Sequence, residues 1–283
     1  MIEPVRIAHL GSIHCGEPTF RPRLLADVVA QVNSSEPDVV LVAGDLTASG
    51  YAWEYEEAVS WLAQLTAPTV VVPGNHDSRN VGYVHFLRHF GGRFLRRRLE
   101  LEPLRSERLR LSGITVVGLD SSQPDLEEGH IGREWYVWIR EQFDRPDDLK
   151  ILLLHHHVLP IPGSGREMSV VNDAGDVLTL ISDLEVDIVL TGHRHVPFFW
   201  SLGGTLVANC STAATARLRG LVPPSWNELR VDASTVKAIM RYPDGRAELT
   251  ALHSRSTREQ IREALFVTDE FFALNHLDAA VEG

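Results

Sequence analysis

The stretch TVVVPGNHDS, Thr69 to Ser78, sets four strand-forming residues against a turn that carries His76 and Asp77. Thr69, Val70, Val71 and Val72 branch at Cβ, which suits an extended, packed backbone, and Pro73-Gly74 ends the run. Gly-Asn is a common turn dipeptide; His-Asp directly after it, where a strand leaves its sheet, is not. The same design recurs along the chain. Short runs of Val, Ile and Leu close on Gly- or His-containing loops at Val5 to Leu10, Val39 to Ala43, Ile114 to Leu119, Ile151 to Leu154, Ile188 to Leu190 and Thr205 to Ala208. Unbroken apolar runs of this length read as strands buried on both faces.

Helical patterns separate several of these runs. Leu24, Leu25, Val28, Val29 and Val32 share one face, Trp53 to Leu65 opens with acidic residues suited to a helix N-terminus, and Trp135 to Phe143 and Val177 to Glu185 are two further candidates. Strands alternating with helices imply an α/β fold whose ligands sit at the carboxyl ends of the strands. Farther on, LRVDASTVKAIMRY, Leu229 to Tyr242, alternates and meets a Pro-Asp-Gly turn, which predicts antiparallel strands. After His253 the chain is expected to become helical through TREQIREALFVTDEFFALNHL, Thr257 to Leu277. Leu265, Phe266, Phe271 and Phe272 in that stretch need a surface to cover them, on the domain or on a partner subunit of a homo-oligomer. The expected division is a domain over 1–252 and a C-terminal helical tail over 253–283.

The 283 residues include 38 acidic and 27 basic ones, a formal charge of -11, so no broad surface is expected to gather extended nucleic acid. Arg93, Arg96, Arg97 and Arg98 read as a solvated face paired with Glu100, Glu102 and Glu107. Two cysteines, Cys15 and Cys210, offer no disulfide framework and fit a reducing compartment. No apolar run reaches the roughly 18 residues of a spanning helix, and no signal pattern opens the chain. The expected setting is therefore the cytoplasm, without membrane contact.

Taken in order, the strand ends supply His14 in SIHCG, Asp45 in AGDLT, Asn75, His76 and Asp77 in PGNHDS, His155, His156 and His157 in the triple histidine, and His193 and His195 in TGHRH. Imidazole, carboxylate and amide oxygen together suit Mn, Zn, Fe, Co or Ni better than Ca or Mg. Cys15 follows His14 directly, and adjacent strand residues face opposite ways, so a small apolar role is expected for it.

This ordered set resembles the calcineurin-like metallophosphoesterase superfamily, and within it the cyclic-nucleotide phosphodiesterase and glycerophosphodiesterase branch. The family pattern runs D-x-H, G-D, G-N-H-D/E, a later H-H-P and G-H-x-H, and the match spans Ile7 to about Leu252. NCSTAATARLRGLVPPSWNELRVD, Asn209 to Asp232, is also similar to the segment that follows G-H-x-H. The resemblance implies a four-layer αββα sandwich of two mixed β-sheets and one or two divalent transition metal ions. It implies hydrolysis of a small phosphodiester by a metal-bound hydroxide. One metal would be held by Asp45, Asn75, His156 and His193, with His155 as the alternative to His156. The other would be held by Asp45, His14, His195 and an aspartate that this chain replaces with Ser12. His76 would face the substrate, stabilising phosphoryl oxygens or protonating the leaving alkoxide, with Asp77 as an orienting partner. A neutral hydroxyl at Ser12 should weaken the first of the family's two sites. The alternative reading is a homologue of impaired turnover that acts as a phosphate-ligand sensor or interaction module.

Overall fold

A computed structural model describes residues 3–162, 169–216, 218, 222–255, 257 and 260–263. Seven strands form one sheet in the order β13-β12-β11-β10-β1-β2-β3, and six form a second in the order β4-β5-β6-β7-β9-β8. In the first sheet β1 (Val5–Leu10), β2 (Val39–Ala43) and β3 (Thr69–Val72) run parallel, while β10 (Trp226–Val231) joins β1 antiparallel. In the second, β5 (Gly113–Gly118), β6 (Leu149–Leu153), β7 (Ile188–Thr191) and β9 (Thr205–Asn209) are parallel, with β4 (Leu95–Glu100) and β8 (Phe198–Leu202) antiparallel at the two edges.

The doubly apolar strands follow from this layering. Ile7, Leu41, Val70 and Val72 face Val116, Ile151, Leu153 and Leu190 in the core between the sheets. Alternate residues Ala8, Leu10, Val40, Val42 and Val71 point outward onto α1 (Pro22–Ser34), α2 (Ala52–Leu62) and α3 (Gly82–Phe90) through Leu25, Val28, Tyr55 and Phe86. On the far side Val117, Leu152 and Val189 meet α5 (Tyr136–Gln142) and α6 (Ala174–Asp183) through Ile139, Val177, Leu180 and Ile181. Helix, sheet, sheet and helix make the four-layer αββα sandwich of two mixed sheets. A short α4 (Pro103–Leu109) buries Leu109 in the inter-sheet core.

Two local readings change. The arginine-rich stretch lies largely on edge strand β4, and its partners are mainly aspartates: Arg93 on Asp120, Arg96 on Asp144, and Arg98 on Asp148 at 2.8 Å and Glu100 at 3.1 Å. Charges on an edge strand discourage pairing with another chain. Beyond Leu252, the first sheet continues: β12 (Ala247–Ser254) follows β11 (Thr235–Arg241), and β13 (Gln260–Glu263) pairs with it. The expected boundary at 252/253 therefore falls inside a strand, and the tail expected to be helical over 253–283 is strand at Gln260–Glu263, while 264–283 lie outside the described residues. No helix among the described residues is long and apolar enough to cross a membrane.

Candidate metal centre

Five parallel strands, β1, β2 and β3 of one sheet and β6 and β7 of the other, deliver their carboxyl ends to one edge of the sandwich. The loops that follow are fixed by backbone bonds between strands. Ser12 N donates to Gly44 O at 2.9 Å, Ile13 N and His14 N to Asp45 O at 2.8 and 3.0 Å, and Gly192 N to His155 O at 2.9 Å. Ser12, His14, Asp45, His193 and His195 take left-handed φ values of 54°, 56°, 56°, 72° and 55°. Such conformations cost about 1–3 kcal/mol each outside glycine and persist where surrounding contacts enforce them, often at functional sites. Glycine is required where the loops touch: a Cβ on Gly74 would overlap the Asp45 carboxylate, and one on Gly44, at φ 75°, would overlap the Gly74 backbone.

Four donor atoms converge. His155 Nε2 lies 3.1 Å from Asn75 Oδ1, 3.2 Å from His193 Nδ1 and 3.3 Å from Asp45 Oδ2, and His193 Nδ1 lies 3.1 Å from Asn75 Oδ1. Donors about 2.1 Å from a shared ion stand about 3.0–3.4 Å apart across octahedral to tetrahedral angles, so these separations fit one cation. The other nitrogen of His155, Nδ1, is 2.6 Å from Ala43 O and donates to it, which turns Nε2 inward as a ligand atom. Asn75 Oδ1 and Asp45 Oδ2 are acceptors, and so is Nε2 of a neutral His155; the cluster needs positive charge at its centre. Burial raises the Asp45 carboxyl, but the imidazoles of His155, His76 and His14 outweigh it and hold Asp45 well below the usual carboxylate range. Burial, with neighbouring imidazoles, holds His193 well below its ordinary value, so it stands neutral. Burial opposes the charge on His155, but the Asp45 carboxylate prevails and shifts it upward.

A second cluster adjoins the first. His14 Nε2 is 3.0 Å from His195 Nε2 and 3.6 Å from the same Asp45 Oδ2, which therefore faces both clusters. Asp45 Oδ1 is engaged by His76 N at 3.0 Å. His76 turns its ring edge-on to His14 at 4.6 Å, and its Nδ1 donates to Ala48 O at 2.7 Å. A cleft of about 240 Å³ lies over these side chains, with Arg194 in its wall and Asp125, Leu126, Glu127 and Glu128 on its rim.

The three consecutive histidines part ways. His155 enters the donor cluster, as described. His156, expected in that place, keeps a ring nitrogen within 4.8 Å of those of His155 and His193 but sets Nδ1 at 2.9 Å from Ser121 Oγ and Nε2 at 3.1 Å from Glu127 O, whereas His155 is the one within 3.3 Å of Asn75 and Asp45. His157 Nε2 donates to Gly192 O at 2.7 Å. Burial lowers both His156 and His157 to about 3, so both are neutral. Asp77 was expected to orient His76, but the carbonyl of Ala48 at 2.7 Å and Arg79 Nη1 at 3.0 Å are what meet that ring at Nδ1. The Asp77 carboxylate accepts from Gly74 N, Leu46 N, Thr47 N and Thr47 Oγ1 at 2.9 to 3.1 Å, tying the loop after β2 to the loop after β3. Burial and the charge of Asp45 push Asp77 up to about 6 despite these bonds. Ser12 is fully buried at the end of the same β1 loop. Cys15 packs in the apolar cluster with Leu10, Leu46 and Tyr55.

The sequence reading missed Ser121 and Gly129, whose Cβ would overlap the His156 ring, and it gave Arg194 no role. Ser121 follows Asp120 in a loop of ordinary turn composition; only its proximity to His156 in space reveals it. Of the later matching segment, Arg217 and Arg219 lie outside the described residues.

Residues 5–197 match the model of the calcineurin-like phosphoesterases, more than half of the chain. The chain belongs to this family. Calcineurin-like phosphoesterases use divalent metals, and two groups that could hold such an ion are present here, His155 with His156 and His193, and His14 with Asp45 and His76. Among its relatives are a probable cyclic nucleotide phosphodiesterase of Synechococcus, 26% identical over 75% of this chain and 78% of that protein. A 3',5'-cyclic adenosine monophosphate phosphodiesterase of Escherichia coli is also 26% identical, over 75% and 77%. A cAMP/cGMP dual specificity phosphodiesterase of Mycobacterium tuberculosis is 31% identical over 68% of this chain and 58% of its own. The fold is shared with a dimetal phosphatase of Danio rerio at a TM-score of 0.64 and 13% identity, covering 85% of this chain and 97% of that one. Family membership and phosphodiesterase relatives support phosphoester hydrolysis at the level of the family.

Proposed function

We propose that the chain hydrolyses a small phosphodiester at a divalent transition metal ion held by Asp45, Asn75, His155 and His193. The observation that carries the reading is the convergence of these four donors, with separations of 3.1–3.3 Å around His155 Nε2. Relatives named for cyclic nucleotides and for glycerophosphodiesters support a small diester over a protein phosphoester. A net charge of -11 disfavours extended nucleic acid, and the cytoplasm fits two unpaired cysteines.

When bound, a transition metal here supplies polarisation of a phosphoryl oxygen and activation of an attacking water. The chain's own groups do the rest. His76, with its Nδ1–H donating to Ala48 O, would in its imidazolium form present Nε2–H to a phosphoryl oxygen or pass that proton to the departing alkoxide. Arg79 Nη1 lies 3.2 Å from the same carbonyl and steadies it. Arg194, between His193 and His195, supplies a guanidinium for the anionic substrate. The sensor reading keeps one observation in its favour, the serine at position 12.

The test is hydrolysis of bis(p-nitrophenyl) phosphate by the full chain. Chelation should abolish it, manganese or cobalt should restore it, and His76→Ala should lower kcat by about 10²- to 10⁴-fold with bound metal unchanged. Metal bound without any hydrolysis would favour the sensor.

A further inference from the structure

Among the described residues, the His14 side of the centre has no carboxylate beyond the shared Asp45. Ser12 stands two residues before His14; its side chain is fully buried, and its hydroxyl has no hydrogen-bond partner. Its backbone cannot slide to bring another group into the gap. Ser12 N is bonded to Gly44 O at 2.9 Å, and its carbonyl accepts Thr212 Oγ1 at 2.7 Å. The left-handed φ of 54° matches that of His14 and Asp45, so the loop holds the shape of its ligand-bearing neighbours while offering a neutral oxygen. Among the described residues, Asp45 is the one acid in the group with His14 and His76. Its Oδ2 already serves His155, at 3.3 Å, as well as His14, at 3.6 Å. Cys15 is no substitute, because its side chain lies in the helix-side apolar cluster.

One shared carboxylate would then face two dications about 4 Å apart. The first ion to bind uses the negative charge, and the second meets two imidazoles and a neighbouring cation. We propose that the centre is asymmetric by construction: the Asp45, Asn75, His155 and His193 set holds one divalent transition metal tightly, and the His14–His195 side admits a second only weakly. The proposal rests on the metal-centre reading above. Changes outside the ligand set alone alter metal affinity by about 10- to 100-fold, so a missing anionic donor should separate the two dissociation constants by about 100-fold or more.

Equilibrium dialysis of the full chain against manganese or cobalt, with bound metal counted by atomic absorption, tests this without substrate. The native chain should take up one equivalent tightly and a second at about 100-fold higher concentration or above. Ser12→Asp should tighten the second equivalent at least tenfold, about the smallest effect of an outer group. His195→Ala should erase the weak equivalent and keep the tight one, which decides the matter even if Ser12→Asp fails to fold. Two equivalents of equal affinity in the native chain, or loss of the tight equivalent in His195→Ala, would overturn the asymmetry. One tight equivalent without hydrolysis would uphold it and contradict the phosphodiesterase reading; no bound metal would contradict both.

Discussion

At the scale of single residues, His155, His156 and His157 share composition, neighbours and burial, yet each serves a different partner. A carbonyl decides the first: Ala43 O takes the Nδ1 proton of His155 and aims Nε2 at Asp45 and Asn75. Ser121 and the Glu127 carbonyl engage the two ring nitrogens of His156. His155→Ala should therefore weaken the tight metal by at least about 100-fold, whereas His156→Ala should keep it and loosen the 121–129 loop; isothermal titration with manganese separates the two. Equal losses in both variants would contradict the assignment. Which histidine turns inward was not legible in the sequence, because it depends on a carbonyl 112 residues away in the chain. Asp45, Asn75, His193 and His14 were legible, since each ends an apolar run that could only be a strand.

At the scale of elements, the strands of both sheets announced themselves where both faces are covered, as in β1, β2, β5 and β7. Edge strand β4 did not, because Arg96, Arg97 and Arg98 run consecutively in it, and the partners of Arg96 and Arg98, Asp144 and Asp148, lie far along the chain. Helix α3, which carries Phe86 into the core and leaves Val84 and Leu87 exposed, gave too mixed a pattern to be read. Loops joined to loops are the least legible feature and matter most to the site. Asp77 is the clearest case, one carboxylate receiving four donors from the segments after β2 and β3. Asp77→Ala would strand those buried donors and should cost about 3 kcal/mol, read as a lowered urea midpoint at unchanged slope. A loss below 0.5 kcal/mol, the usual range for a surface change, would show that the loops hold without it.

At the scale of the whole molecule, the two sheets enclose a polar cluster beneath the metal centre. His9 on β1 lies 3.3 Å by its Nδ1 from Asn227 Nδ2, Asn227 reaches Asn209 O at 3.2 Å, and Asn209 Oδ1 accepts Thr191 Oγ1 at 2.8 Å. Burial depresses His9 from 6.5 to about 3, more than the Thr191 carbonyl raises it. The folded chain thus keeps His9 neutral while the unfolded chain protonates it near 6.5. Its effect on stability is full above pH 6.5 and is lost as pH falls from there toward 3, at up to about 1.4 kcal/mol per pH unit. Urea unfolding of the native chain and of His9→Gln at pH 7.5 and 5.5 should show the smaller pH loss in the variant; equal losses would mean that His9 is protonated in the fold.

The central claim is that loops from two sheets meet around one cation. Anomalous diffraction from crystals grown with manganese tests it most directly. The expected result is a peak about 2.0–2.3 Å from Asp45 Oδ2, Asn75 Oδ1, His155 Nε2 and His193 Nδ1. A peak coordinated by His156 in place of His155, or no peak within reach of Asp45, would contradict it.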